Sequence, residues 1–83
     1  MFVKICGITS IADALAAAGS GADAVGLNFW RPGRRYVAPE RAAEISASLP
    51  TAMKRVGVFV DEEVETVLEI AGRVKLEIGR AHV

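Results

Sequence analysis

Cysteine and histidine are nearly missing from this sequence, which has one of each, Cys6 and His82, among 83 residues. A single cysteine excludes an internal disulfide and any zinc site built from paired cysteines, and it suits a reducing compartment such as the cytoplasm. No apolar run approaches the roughly 20 residues of a membrane span, and no basic leader precedes a long apolar stretch. We therefore expect a cytoplasmic protein that is neither exported nor inserted into a membrane.

An excess of charge of either sign is also lacking. Ten Lys and Arg balance ten Asp and Glu, so the formal net charge is zero. This balance gives no support to a broad surface for nucleic acid or anionic lipid. The chain is instead rich in apolar residues, at 52% of the total, which predicts a folded globular chain of one small domain at most.

Short apolar segments alternate with helical patterns along the chain. The predicted strands cover residues 2–6, 24–29 and 55–60, and a fourth strand is predicted to begin at Val74. The predicted helices follow Ser10 and end at Gly19, run between Pro39 and Pro50, and begin at an Asp61 N-cap and end at Gly72. This βαβαβα order predicts a parallel α/β sheet with helices on both faces.

The predicted sheet has an open edge. Three or four parallel strands leave unpaired backbone and an uncovered apolar face, which is an unfavourable place for a protein to end. We therefore expect the chain to be incomplete.

Residues at the carboxyl ends of parallel strands are the first candidates for function, because ligands bind there in α/β folds. This rule selects Cys6, residues 28–36 and Asp61. Cys6 ends the first strand and could act as a base or nucleophile, although a lone cysteine in a strand is more commonly a small buried apolar residue. Asp61 is more commonly a helix cap than an acid.

Three arginines, Arg31, Arg34 and Arg35, lie between Trp30 and Tyr36. They could form a solvated loop, a surface on which nucleic-acid bases stack, or a site where one arginine binds a substrate carboxylate or phosphate. We favour the third interpretation, because zero net charge argues against nucleic acid.

Several segments in a fixed order carry a resemblance to a known family. The opening segment reads VKICGIT (residues 3–9), and further matches are ADA (12–14), GADA (21–24), residues 29–37 and KRVGVFV (54–60). Together they cover residues 2–77 and resemble phosphoribosylanthranilate isomerase, an enzyme of tryptophan biosynthesis. The resemblance implies that residues 1–77 are the N-terminal part of a (β/α)8 TIM barrel, about three βα units plus the start of a fourth strand.

The family chemistry is an Amadori rearrangement of N-(5-phosphoribosyl)anthranilate, an aldose-to-ketose isomerisation without metal or organic cofactor. By this resemblance Cys6 is the general base that removes the proton from the sugar C2, and Arg35 binds the anthranilate carboxylate. The general acid and the phosphate site are implied to lie on later strands, and Asp61 does not replace that acid. Gly33 departs from the family, which commonly has serine there, so a hydroxyl contact is expected to be missing.

The last residues, 78–83, do not resemble the family. They match the translation of a common sequencing adapter, so we expect a non-native tail in which His82 has no role. Without the acid and the phosphate site, the chain alone is expected to be inactive. The alternative is a genuine half-barrel assembly module without catalysis, which would pair its open sheet edge with itself or a complementary half.

Overall fold

Three βα units follow one another in residues 1–77, the part of the chain that the computed structural model describes. The elements are β1 (Lys4–Ile5), α1 (Ile11–Gly19), β2 (Ala24–Asn28), α2 (Pro39–Ser48), β3 (Lys54–Val58) and α3 (Val64–Val74). The strands form one parallel sheet in the order β1-β2-β3. The predicted βαβαβα order and the parallel sheet are therefore confirmed.

The three helices form one layer on one face of the sheet. Helix α2 contacts both α1 and α3, so the expectation of helices on both faces is wrong. The reason is topological: strands that are adjacent in chain order and joined by right-handed crossovers return every helix to the same side. This is the arrangement of a barrel wall, in which the other sheet face is the interior.

The main apolar core lies between the sheet and this helix layer. Val25 and Leu27 of β2 project into it and are fully buried, together with Ile45 of α2 and Val74 of α3. Their strand neighbours alternate to the opposite face, because successive side chains of a strand point to opposite sides. Gly26 therefore faces the barrel interior, as does its register partner Val56.

Helix α1 begins as predicted but faces the sheet with different residues. Ser10 is its N-cap, and the Ser10 hydroxyl accepts the Asp13 backbone N–H at 3.1 Å. The spacing of Ile11, Leu15 and Ala18 in the sequence predicts an apolar face made of these three residues. The residues of α1 that enter the core are instead Ala14 and Ala17, and Leu15 is half exposed. Small side chains let this helix lie close to the sheet.

Helix α3 differs from the prediction at both ends. Its N-cap is Glu63 and not Asp61, which has a left-handed backbone with φ of 52°. The helix continues through Gly72 to Val74, so the predicted start of a fourth strand at Val74 is also wrong. Backbone pairing resumes at Glu77, whose N–H donates to the Arg55 carbonyl of β3 at 2.8 Å.

The predicted non-native tail, residues 78–83 with His82, lies outside the described residues.

Candidate functional site

Cys6 is the first residue after β1, at the carboxyl edge of the sheet, and it is exposed. It lies beside Gly26 of β2, whose carbonyl accepts the N–H groups of Gly7 and Ile8 at 3.1 and 3.2 Å. A Cβ placed on Gly26 would be 3.2 Å from both Cα and Sγ of Cys6. A side chain at position 26 would therefore push Cys6 aside by a few tenths of an ångström, and glycine allows the two strands to approach closely here.

The backbone turns sharply after Cys6. Gly7 has φ of 76°, a left-handed conformation that L side chains rarely adopt. The aliphatic stem of Arg35 covers this turn, with its Cγ 3.2 Å from the position of a Gly7 Cβ. The Arg35 guanidinium reaches the Gly7 carbonyl at 3.5 Å, a long contact that leaves most of its donors available to a ligand.

Cys6 and Arg35 line the same groove, which has a volume of about 330 Å³. They lie far apart in sequence, yet the parallel pairing of β1 and β2 carries both to one edge of the sheet. From the carboxyl edge the groove extends between β1 and α1, and its other lining residues are Ile5, Gly7, Ile8, Asp13, Ala16, Ala17 and Ser20. The structure therefore brings together the two residues to which the resemblance assigns roles, and Asp61 does not line the groove.

The segment after β2, residues 30–36, is called here the arginine loop. Two turns build it: the Gly33 N–H donates to the Trp30 carbonyl at 3.0 Å, and the Tyr36 N–H donates to the Gly33 carbonyl at 3.2 Å. The guanidinium of Arg31 stands 5.9 Å from the centre of the Tyr36 ring, so this arginine makes a cation–π contact within the loop. Of the three arginines, only Arg35 joins the groove.

Asn28, at the end of β2, is a feature that sequence reasoning noted only as the start of a candidate segment. Its side-chain oxygen accepts the Trp30 N–H at 2.9 Å, and its backbone carbonyl accepts the Val37 N–H at 2.9 Å. An asparagine before a glycine-containing loop is a known turn signal. That signal predicts the local turn but not which side chain the loop presents.

Arg55 was missed by sequence reasoning, which treated it as the first residue of a strand. It is only 9% exposed and lies at the opposite, amino-terminal edge of the sheet. Its guanidinium donates to the Ser46 hydroxyl at 2.9 Å and to four backbone carbonyls at and after the end of α2. These carbonyls belong to Ser46 (2.7 Å), Leu49 (3.2 Å), Pro50 (3.0 Å) and Met53.

Burial lowers the pKa of the Arg55 guanidinium from its ordinary value, and the carboxylate of Glu77 opposes that shift. A cavity of about 500 Å³ adjoins this arginine. Because all of its nitrogens already bind the protein, Arg55 is a structural residue and not a ligand site.

Metal binding and membrane insertion find no support in the described part of the chain. Within residues 1–77, no three His, Cys, Asp or Glu side chains come close enough together to hold a metal ion. No helix in the same range is long and apolar enough to cross a bilayer.

Comparison with known proteins points to one family. A sequence model described as N-(5'phosphoribosyl)anthranilate (PRA) isomerase matches residues 3–82. The N-(5'-phosphoribosyl)anthranilate isomerase of Thermotoga neapolitana is 54% identical over 80 residues, which are 96% of this chain and 39% of that protein. The enzyme of the same name from Rubrobacter xylanophilus is also 54% identical, with the same coverage.

Solved structures agree in fold. The phosphoribosyl anthranilate isomerase of Thermotoga maritima superposes with a TM-score of 0.89 at 53% identity, covering 92% of this chain and 37% of that one. A second structure of such an isomerase, in complex with reduced 1-(o-carboxyphenylamino)-1-deoxyribulose 5-phosphate, also gives a TM-score of 0.89 and has 39% of its length covered. The chain thus spans about two fifths of the length of the relatives that it matches, and its fold is the N-terminal part of their barrel.

Proposed function

The chain belongs to the N-(5'-phosphoribosyl)anthranilate isomerase family of tryptophan biosynthesis, and from this premise we propose that it forms the first βα units of an enzyme that isomerises N-(5'-phosphoribosyl)anthranilate. The reaction is an Amadori rearrangement, in which an aminoaldose becomes an aminoketose. The substrate is a small phosphorylated aminosugar with an aromatic carboxylate. The observation that carries the proposal is that Cys6 and Arg35 line one groove, with the Arg35 stem packed on the Gly7 turn that directly follows Cys6 at the carboxyl edge of the sheet.

Cys6 is the general base of this proposal. Once an acid has protonated the ring oxygen and the furanose has opened to a Schiff base, the sulfur of Cys6 removes the proton from the sugar C2. The C2–H electron pair forms the C1–C2 double bond while the π pair of the C1–N double bond moves to the nitrogen. The resulting enolamine tautomerises to the ketose, as C1 takes up a proton and the C2 hydroxyl loses one. Exposure of Cys6 in the groove supports access of the sugar to its sulfur.

Arg35 binds the anthranilate carboxylate. A planar guanidinium matches a carboxylate with two parallel hydrogen bonds, and Arg35 makes a single long contact to Gly7 in this structure. Binding at one end of the substrate places the other end over Cys6, so Arg35 contributes to orientation as well as to affinity.

The general acid and the phosphate-binding residues of this proposal are supplied by barrel strands beyond those described in residues 1–77. The chain alone is therefore proposed to have no useful activity, because the loss of general acid catalysis alone costs about 10²–10⁴-fold. We also place the protein in the cytoplasm, for which an exposed free thiol is suited.

The test is to join residues 1–77 to the remaining segment of the Thermotoga neapolitana relative and to assay the joined protein with N-(5'-phosphoribosyl)anthranilate. We expect turnover by the joined protein and none by the 83-residue chain. Cys6→Ala should lower kcat by about 10²–10⁴-fold, and Arg35→Ala should mainly raise KM.

The matched control is Arg34→Ala, which removes an equal charge from the same loop outside the groove. Its kinetic constants should stay close to those of the unchanged protein. Retained turnover in Cys6→Ala would remove the base assignment, and equal effects of the two arginine variants would remove the assignment of Arg35.

A further inference from the structure

Asn28 is held rigidly at the end of β2, on the sheet face that also carries Gly26 and Cys6. The neighbouring Phe29 N–H donates to the Val58 carbonyl of β3 at 3.0 Å, and the Asn28 carbonyl accepts the Val37 N–H at 2.9 Å. The backbone of Asn28 is thus fixed both to the sheet and to the far end of the arginine loop. Its side chain projects from a fixed point into the base of that loop.

The side-chain amide of Asn28 fills the inside of the loop. Its oxygen accepts the Trp30 N–H at 2.9 Å, at the first residue of the loop. Its nitrogen lies against the middle of the loop at Gly33, so close that a Cβ at position 33 would overlap it. Both turns of the loop meet at Gly33, so a single amide contacts the start and the centre of the loop.

Arg35 lies in the second of these turns and has only a long contact of its own to the sheet edge, at 3.5 Å to the Gly7 carbonyl. Its stem packs on Gly7, a residue without a side chain that could hold it in place. The position of the guanidinium therefore depends on the conformation of the loop.

Building on the proposed function, we infer that Asn28 is a positioning residue: its amide, packed against Gly33, holds the arginine loop so that Arg35 stands over Gly7 beside Cys6. Asn28 and Gly33 act as one unit, because any side chain at position 33 displaces the amide.

The test measures the positive charge near Cys6, the only cysteine of the chain. Cys6 is alkylated with iodoacetate, which is anionic, and with iodoacetamide, which is neutral, and the ratio of the two rate constants is taken. Both reagents attack the same thiolate, so its exposure and ionisation cancel in the ratio. A nearby guanidinium raises the ratio, by about two- to fivefold at low salt.

In the full 83-residue chain, Arg35→Ala should lower the ratio by about two- to fivefold, and Arg34→Ala should lower it less. Asn28→Ala and Gly33→Ala should each bring the ratio close to that of Arg35→Ala. The double variant Asn28→Ala/Gly33→Ala should be no lower than Asn28→Ala, because the two positions act through one contact. Circular dichroism of each variant is recorded as a check that its helices are kept.

An unchanged ratio in Asn28→Ala, while Arg35→Ala lowers it, overturns the inference and leaves the proposed function in place. An unchanged ratio in Arg35→Ala overturns the arrangement of Arg35 beside Cys6, and the inference fails with it. If Asn28→Ala does not fold, Asn28→Ser is measured. Loss of the helices in that variant also overturns the inference, because Asn28 would then support the whole fold and not the loop.

Discussion

At the scale of single residues, the site is shaped as much by missing side chains as by present ones. Gly26 illustrates this, because Cys6 occupies the space that a side chain at position 26 would need. Part of the obstacle is the Cys6 backbone, whose Cα is 3.2 Å from the point that a Cβ on Gly26 would occupy, so a rotamer change cannot relieve it. The position of Cys6, the proposed base, thus depends on Gly26, a residue that takes no part in the reaction.

Gly26→Ala should therefore impair catalysis in the joined protein described above. We expect a fall in kcat, and one smaller than the about 10²-fold that a displacement of about 1 Å can cost, because Cys6 has to move by only a few tenths of an ångström. Gly72→Ala is the control, because nothing lies within 4 Å of the added methyl group. Equal kinetics of the two variants would show that Cys6 tolerates displacement.

Arg55 has a structural role that a stability measurement can isolate. Arg55→Met keeps the apolar stem of the side chain but leaves buried carbonyls at the end of α2 without donors. We expect the free energy of unfolding to fall by about 2–4 kcal/mol, from urea titration followed by circular dichroism. Arg41→Met on the exposed face of the same helix should change it by less than about 0.5 kcal/mol.

The lowered pKa of Arg55 sets the direction of a pH effect. A basic group whose pKa is lower in the folded state binds fewer protons when folded, so stability rises with pH between the folded and unfolded pKa values. Arginine stays protonated in both states at ordinary pH, so Arg55 should contribute no pH dependence between about pH 5 and 9. A lysine at position 55 loses its proton more easily than an arginine, so Arg55→Lys should make this pH dependence measurable. The unfolding free energy of the Arg55→Lys variant, relative to that of the unchanged chain, should rise between about pH 7 and 10.

At the scale of elements, the ends of a helix are predicted best where more than one residue marks them. Helix α2 has a proline at its first position and another after its end, and the structure confirms it at Pro39–Ser48. Helix α3 has a weaker stop signal, and Gly72 is passed because the helix can continue through a glycine at a modest cost. The helix ends at Val74, and the C-cap Lys75 has φ of 65°, a left-handed conformation that a lysine does not predict.

These backbone conformations predict opposite effects of glycine and alanine. Lys75→Gly should stabilise the chain by about 0.5–1 kcal/mol, because glycine adopts a left-handed conformation without strain. Gly72→Ala in the interior of α3 should stabilise it by a similar amount. Gly21→Ala should destabilise it, since Gly21 has φ of 86° although its surroundings are equally open. Thermal unfolding of the three variants checks the signs.

At the scale of the whole molecule, the candidate site was predictable in part. The strand-end rule selects Cys6 and the loop after β2, and the resemblance assigns roles to Cys6 and Arg35. Their meeting in one groove follows from parallel pairing of adjacent strands. The part played by Asn28 was not predictable, because it depends on how closely one amide fits against Gly33, a tertiary distance that leaves no mark in the sequence pattern.

The exposed apolar surface of the 83-residue chain predicts how the chain behaves in solution. Large apolar side chains are exposed on both outer helices, Leu15 on α1 at 50% and Val64 on α3 at 68%. Because such patches associate without fixed geometry, we expect light scattering to show polydisperse assemblies. Leu68, one turn after Val64 on α3, is also half exposed. Leu15→Glu combined with Leu68→Glu should shift the assemblies toward monomer, whereas the control pair Ala12→Glu and Ala47→Glu adds the same charge at exposed alanines and should not. A single defined dimer that resists the first pair would instead favour the half-barrel assembly module, since a specific interface would then use the open sheet edge.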